Sequence, residues 1–598
     1  MKATSPASLA ITASLLASGS AEHGPGTRSN CKASPGSPAW PSAAEWAALN
    51  ETLGGQLIRP APPGGVCHRG APNYDADACP AVREGWKTYD FHAADPVSNM
   101  WDNWNNYTCL PSPANGTCSG HGYPAFVVNA TTAEHVQEGV NFARENNVRL
   151  IVKSSGHDFL GRSVAPGALS IWVHNLDSVE YHDGSFALAG SDTVVEGDAL
   201  TAGGGAGMYS LYSAAAAHNT TVVGGGAKSV SVGGYITGGG HSLLSPKYGL
   251  AADNVLQMDV VTPDGELLTV NEDNHPDLFW ALRGGGGSTF GVVTSVTVKA
   301  HPSPRMQHIT YVAGINSSSP DTDDVVGWLL SQVPTMMDDG LFGYNWVSFG
   351  GAMPVPVPGV PENMAGMLGS IVLYDRDAED AWAWMSGLND TLSSKWPGAM
   401  VGGGVISYDS WIDWFDVNYD AGSAGGGGSL ISRLVGRETY EGDREALIEA
   451  YKSACELTGT ATVYTIAGKG VQEAQPRGGG NAVNPGWRNA LVHSLTTGLQ
   501  YPFEPAKNKE IVEALDAAWD PLRAITPGMG AYLNEASRFD KNPHETYWGA
   551  NYARLREIKR RVDPGDVFWC DLCVGSERLA ESGDGRVCAV DKGGKLEL

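Results

Sequence analysis

Regular patterning of apolar and polar positions begins near Tyr123. Residues 125–128 read as a strand. Thr131 and Glu134 have the spacing of a capping box, in which the Thr131 oxygen accepts from an early helix N–H and Glu134 reaches back. Val136, Val140 and Ala143 then share one face of a helix ending near Asn147. Residues 149–153 form an apolar strand that empties into Ser154-Ser155-Gly156-His157-Asp158-Phe159-Leu160-Gly161-Arg162-Ser163. Another strand covers 169–173. Strands at 255–261 and 266–270 make a hairpin across Thr-Pro-Asp-Gly. A short helix, 276–283, ends in Gly284 to Gly287, and Val292, Thr294, Val296 and Val298 alternate along a closing strand.

After His301-Pro302 the texture changes. Strands are expected at 308–315, 344–349 and 370–374, and helices at 378–392, 445–457 and 508–524. The rhythm is α+β throughout. It predicts a first domain over 120–302, a second lobe over 303–530, a returning segment over 531–575 with a helix at 555–561, and a tail over 576–598. Residues 22–119 are rich in Pro, Gly, Asn and Cys. They read as an extension stapled by disulfides, with no catalytic pattern.

A chain of 598 residues, 42% of them apolar, can bury more than one core. Lys plus Arg is 39 and Asp plus Glu is 65, a formal charge of −26, which makes nucleic acid and anionic membrane surface poor partners. No apolar run reaches the roughly 18 residues of a spanning helix. Residues 1–21 carry Lys2, a short apolar stretch and the small residues Gly19 and Ala21, as a secretory signal peptide does. Glycosylation sequons at Asn50, Asn106, Asn115, Asn129, Asn219, Asn316 and Asn389 agree with a secreted glycoprotein. So do nine cysteines clustered near the two ends. Cys67 with Cys79 and Cys109 with Cys118 are the expected local pairs, and the odd count leaves one thiol. Cys570 and Cys573 lack the second pair or nearby histidines that zinc requires, and no metal site is expected.

Three separate glycine-rich loops fall within one stretch of about 140 residues, each after an apolar strand or helix. Without Cβ, backbone can approach a ligand and turn its N–H groups toward a diphosphate. The familiar phosphate motifs fail. Gly224-Gly225-Gly226-Ala227-Lys228-Ser229 lacks the glycine before lysine of a P-loop, and Gly284 to Gly287 follow a helix rather than a strand. No Gly-x-Ser-x-Gly elbow is present.

Four motifs in order carry a resemblance. They are Ser-Ser-Gly-His157-Asp-Phe-Leu-Gly, Gly233-Gly-Tyr-Ile-Thr-Gly-Gly-Gly240, Lys247-Tyr-Gly-Leu-Ala-Ala-Asp-Asn254 and Phe279-Trp-Ala-Leu-Arg-Gly-Gly-Gly-Gly-Ser-Thr-Phe-Gly291. Together they resemble the flavin domain of the vanillyl-alcohol oxidase / p-cresol methylhydroxylase (PCMH-type) class. Tyr547-Trp-Gly-Ala-Asn551-Tyr with Val562-Asp-Pro resembles the berberine-bridge-enzyme branch, and the whole is similar to secreted fungal oxidases of the isoamyl-alcohol-oxidase type. The resemblance implies FAD held by two α+β subdomains under a substrate domain whose antiparallel sheet is flanked by helices. It places the cofactor against Ser154, Ser155, Gly156, His157, Asp158, Gly161 and Ser163 of the first loop. It adds Val230, Gly233, Gly234, Gly238, Gly239 and Gly240, then Tyr248, Gly249, Asp253 and Asn254, with Val293 on the closing strand and Asn551 in the tail.

In relatives the histidine at the position of His157 bonds to the flavin 8α-methyl. A second, cysteinyl link would fall at Ala227, so a single histidyl link is expected. Val230 stands at a gatekeeper position where a small residue resembles oxidases. Relatives carry Tyr-x-Asn-Tyr over the ring, and here the segment reads Tyr532-Leu533-Asn534-Glu535. Strand alternation would put Tyr532 and Asn534 on the flavin side and Glu535 opposite, with Glu535 open as the base. The expected reaction is hydride transfer from an alcohol or carbohydrate to flavin and then to O2, giving H2O2. A dehydrogenase or ring-closing oxidase of a secondary metabolite, and a non-enzymatic glycoprotein with the same fold, are the alternatives. Trp382, Trp384, Trp411 and Trp414 are candidates for a sugar platform or for core.

Overall fold

Val136, Gly139, Val140 and Ala143 recur at helical spacing, and the helix Ala133–Glu145 buries them. Gly139 is what lets that helix lie close to the sheet, because an added Cβ there would stand 2.4 Å from Ile171 Cδ1. The helix starts one residue later than the capping box implies. Thr132 is the N-cap and accepts from the His135 N–H at 3.4 Å, so Glu134 falls one place short of the box position.

The architecture comes from a computed structural model, which describes residues 31–112, 117–350, 363–583 and 585–590. The expected signal segment and the sequon at Asn115 lie outside the described residues.

The first sheet runs in the order Leu57–Ile58, Phe126–Asn129, Leu169–Trp172, Leu150–Lys153. The last three are parallel neighbours, with the helix Ala133–Glu145 as crossover. The outermost strand comes from the N-terminal extension, and its helix Ala43–Thr52 adds Trp46 and Leu49 to the same core. A second, antiparallel sheet has the order Leu267–Asn271, Val255–Val261, Val292–Lys299, Ala199–Gly203, Val179–His182. Its central strand Val292–Lys299 is buried at six of eight positions, so both faces are covered rather than one.

The substrate lobe is an antiparallel sheet in the order Met400–Tyr408, Met306–Asn316, Met364–Tyr374, Phe342–Ser348, Ala461–Thr462. The helices Thr322–Ser331, Ala378–Lys395 and Arg444–Cys455 share a core with it. A long pair, Gly427–Gly436 with Ala490–Gln500, stands beside the sheet. The helix expected over 508–524 is two, Pro505–Ala518 and Asp520–Ala524, because Pro521 has no N–H to continue the first.

The chain then returns to the first domain. Helix Tyr552–Val562 places Lys559 in the interior, where its Nζ donates to Asp563 at 2.6 Å, Thr289 O at 2.7 Å and Phe568 O at 2.6 Å. A buried ammonium is tolerable only when satisfied in this way. Disulfides join Cys67 to Cys79 and Cys109 to Cys118 as expected. Two more join Cys31 to Cys588 and Cys570 to Cys573, and Cys455 is the buried free thiol.

Candidate active site

A cavity of about 650 Å³ opens between the two lobes, a size suited to a cofactor or a sizeable ligand. Its floor begins where the strand Leu150–Lys153 ends. Ser154 to Asp158 line the cavity, and Gly156 turns the chain with φ +86°. Asp158 closes the loop by accepting from the Ser163 N–H at 3.0 Å and from Arg162 Nε at 3.0 Å. His157 Nε2 lies 2.9 Å from Ser229 Oγ, its ring meets the edge of Tyr89 at 4.5 Å, and its Nδ1 has no hydrogen-bond partner among the described residues. Burial, then the nearby Lys153 and His92, push its pKa down to about 3, so the imidazole is neutral at any ordinary pH.

One side wall is bare backbone: Gly204, Gly225, Gly226, Gly233 and Gly234 line it with Ala227, Val230 and Ser231. A Cβ on Gly234 would meet nothing within 4 Å. The buried hydroxyls of Ser154 and Ser231 have no partner among the described residues. Gly287, Ser288, Val292 and Val293 complete this side.

The roof comes from the substrate lobe and the C-terminal return. Trp346, Trp414, Leu430 and Leu495 are apolar; Tyr344, Tyr464, Asp420, Tyr532, Asn534 and Glu535 are polar. Residues 532–535 are not a strand. Leu533–Glu535 is one 3₁₀ turn, with the Glu535 N–H donating to Tyr532 O at 3.0 Å. Side chains three apart eclipse in such a turn, so Tyr532 and Glu535 share a face and all three polar residues reach the cavity. That corrects the alternation expected from the sequence. Asn534 Nδ2 donates to Tyr532 Oη at 2.8 Å and to Tyr235 O at 3.1 Å. Glu535 lies between two imidazoles, His241 Nε2 at 3.1 Å and His493 Nε2 at 2.8 Å. Burial alone would raise its pKa, but the two imidazoles outweigh that and hold the carboxylate well below its usual range. Burial and then Glu535 drive the Tyr532 phenol far up, so it keeps its proton.

Residues 124–271 match the family described as FAD binding domain, and 531–574 match the one described as berberine and berberine like. The FAD-linked oxidoreductase ZEB1 of Gibberella zeae is 34% identical over 575 residues, covering 94% of this chain and 95% of that protein. This chain belongs to the berberine-bridge-like branch of the VAO-type FAD-linked oxidoreductases. The VAO-type flavoprotein oxidase VAO615 of Thermothelomyces thermophilus is 33% identical over 573 residues, 94% of this chain and 95% of its own. The crystal structure of the VAO-type flavoprotein MtVAO615 from Myceliophthora thermophila C1 superposes with a TM-score of 0.82 at 30% identity, covering 94% of this chain and all of that one. A glucooligosaccharide oxidase from Acremonium strictum shares the fold, with a TM-score of 0.61 at 18% identity over 76% of this chain and 92% of its own.

The cavity of this oxidoreductase fits FAD: the bare glycine wall admits close approach, and the orphaned Ser154 and Ser231 hydroxyls need a polar partner. Ser154, Ser155, Gly156, His157, Asp158, Ser163, Val230, Gly233, Gly234 and Val293 all line it. The other residues expected there do not. Gly161, φ +72°, accommodates Trp104, whose ring would be 2.6 Å from a Cβ. Gly238 seats Asn534, and Gly239 and Gly240 form the positive-φ turn behind it. Tyr248 stacks on His301 at 4.2 Å, next to the positive-φ Gly249. Asp253 binds Arg488 at 2.7 Å and Asn481 at 2.7 Å, joining the two lobes. Asn254 Nδ2 donates to Tyr248 O and Leu250 O, each at 2.9 Å, and Asn551 Nδ2 to Val483 O at 2.8 Å. These motif residues hold the walls rather than face the space.

Among the cavity residues that sequence reading missed, four are polar or aromatic groups with different reasons for escaping it. Tyr89 and Trp101 come from the extension taken to be without function. Asp420 carries no local motif. His241 had a legible signal, a histidine directly after the glycine run Gly238 to Gly240. Of the tryptophans, Trp414 lines the cavity and Trp411 is buried, while Trp384 borders a separate pocket and Trp382 is exposed, which removes those two from any platform over the site.

Proposed function

We propose that this oxidoreductase is a secreted oxidase that takes a hydride from a carbon bearing a hydroxyl, in a small alcohol or a carbohydrate, and gives the electrons to O2, releasing H2O2. FAD is linked through His157 alone. When bound, it supplies the hydride acceptor. The observation that carries the reading is one cavity holding both a neutral, unpartnered imidazole nitrogen at His157 and the group Tyr532–Asn534–Glu535.

The lone pair of His157 is the nucleophile a covalent link needs, and Ser229 fixes the ring by its other nitrogen. Ala227 lines the wall and no described cysteine does, which supports a single link. Tyr532, with Asn534 donating to its oxygen, keeps its own hydrogen to orient a substrate oxygen. The substrate's hydroxyl proton leaves toward the wall formed by Glu535 and its two imidazoles. The apolar roof of Trp346, Trp414, Leu430 and Leu495 excludes water. The small Val230, and relatives named as a flavoprotein oxidase and a glucooligosaccharide oxidase, support oxidase over dehydrogenase and a hydroxylated substrate.

Oxygen uptake by the purified protein across alcohols and mono- and oligosaccharides tests this. Uptake matched by H2O2 is expected. Turnover only with an added dye acceptor would make the protein a dehydrogenase. Secretion is supported by four disulfides and by sequons on the exposed Asn106, Asn219 and Asn316. Asn129 is a poor acceptor, since both ends of its amide are hydrogen-bonded. Glycosidase treatment that lowers the mass is the corresponding check.

A further inference from the structure

Three side chains from distant parts of the chain converge at the edge of the cavity roof, His241 and Glu535 lining the space and His493 buried behind them. His241 follows the glycine run, His493 lies in the strand Ala490–Gln500, and Glu535 ends the turn Leu533–Glu535. Their ligand atoms all lie within 4.8 Å of one another. Both imidazoles are buried, each turns Nε2 to a different carboxylate oxygen, and each leaves a buried Nδ1 without a partner among the described residues. No Lys or Arg among the described residues pairs with Glu535. The guanidinium lining the cavity, Arg162, is taken up by Asp158 at 3.0 Å. Asp420 adds a second carboxylate to the same space. The roof is therefore rich in donors and short of positive charge.

We propose that His241 Nε2, His493 Nε2 and the Glu535 carboxylate form a binding site for a divalent cation of the Zn2+ class, with a coordination position open to the cavity. Two imidazoles and one carboxylate are a donor set that suits borderline first-row cations, and three protein ligands leave room for an exogenous oxygen. The cation would neutralise the carboxylate without a basic side chain. Only its catalytic use rests on the oxidase reading: it would present a Lewis acid to the same substrate oxygen that Tyr532 orients.

The test uses the full flavin-loaded chain, free of affinity tag, stripped with a chelator and then titrated with zinc chloride by calorimetry, with metal content read by mass spectrometry after desalting. About one zinc per chain is expected in the wild type. His493→Gln, which keeps volume, and Glu535→Gln should each weaken binding by at least about 100-fold, more than the loss of an outer-shell partner. Near-wild-type circular dichroism and flavin absorbance of each variant show that it folds; if either fails, His241→Gln takes its place. Zinc K-edge absorption should report two imidazoles in the first shell. Wild-type protein that binds no more zinc than the variants, or zinc bound equally by all of them, would overturn the site and leave a plain hydrogen-bonded triad. The same samples separate the two readings. Yellow protein without zinc refutes this site alone, and colourless protein that binds zinc refutes the FAD reading alone.

Discussion

Tyr532 and Glu535 divide their work by charge state. Burial drives both toward neutrality, yet Glu535 is held ionised by His241 and His493 while Tyr532 remains a phenol. Tyr532→Phe removes the orienting hydroxyl but no packing volume, and Glu535→Gln removes the charge while keeping the shape. Each should lower kcat by about 10²–10⁴ with flavin content unchanged. Steady-state turnover normalised to flavin absorbance measures this, and wild-type kcat in both variants would refute the assignment. At this scale the sequence was partly legible. Tyr532, Asn534 and Glu535 stood out through their resemblance, but the turn that brings Tyr532 and Glu535 onto one face was not. Alternation along a strand is a local rule, whereas the 3₁₀ turn is imposed by the packing of Asn534 against Gly238, where no side chain fits.

The loop from Lys153 to Ser163 shows how elements build the site. Its glycines and Asp158 are readable because the turn chemistry is local. Its partner is not: Trp104, from the extension, fills the space over Gly161, and Tyr89 from the same extension meets His157. A composition of Pro, Gly and Cys gives no sign of such docking. Gly161→Ala would force a Cβ into Trp104 at a left-handed φ, with an expected loss of about 2–4 kcal/mol of stability and a loosened His157 loop. Chemical denaturation checks the first, and the flavin content of the purified protein checks the second. An unchanged midpoint with full flavin content would mean that the extension does not brace the loop. Asp253, in a motif attributed to the cofactor, instead ties the lobes through Arg488 and Asn481, so glycine-rich motifs mark close packing as well as ligand contact.

Across the whole molecule the cavity exists because two lobes, the extension that carries Tyr89 and Trp101, and the return segment that carries Tyr532 to Glu535 close around it. Three strands of the second lobe were legible from periodicity, but Met400–Tyr408, Gly427–Gly436 and Ala490–Gln500 were not, and Asp420 and Tyr89 reach one cavity only in the folded chain, which no spacing in the sequence reports. The substrate lobe also carries a clean pH signature. His308, buried and bonded to Ser370 at 2.9 Å, has its pKa pushed down to about 4 by burial. The unfolded chain then binds more protons between about 6.5 and 4, so this residue's contribution falls as the pH drops through that window, by up to about 3 kcal/mol. His308→Gln should therefore lose less stability than the wild type between pH 6.5 and pH 4, and parallel pH profiles of the melting temperature would contradict this. The proposed covalent hold of FAD by neutral His157 in the cavity between the lobes is open to direct test. Its most direct measurement is the absorbance of acid-precipitated protein: the yellow pigment should stay with the wild-type pellet and pass to the supernatant in His157→Ala. Pigment lost from the wild-type pellet, or retained by the variant, would contradict the account.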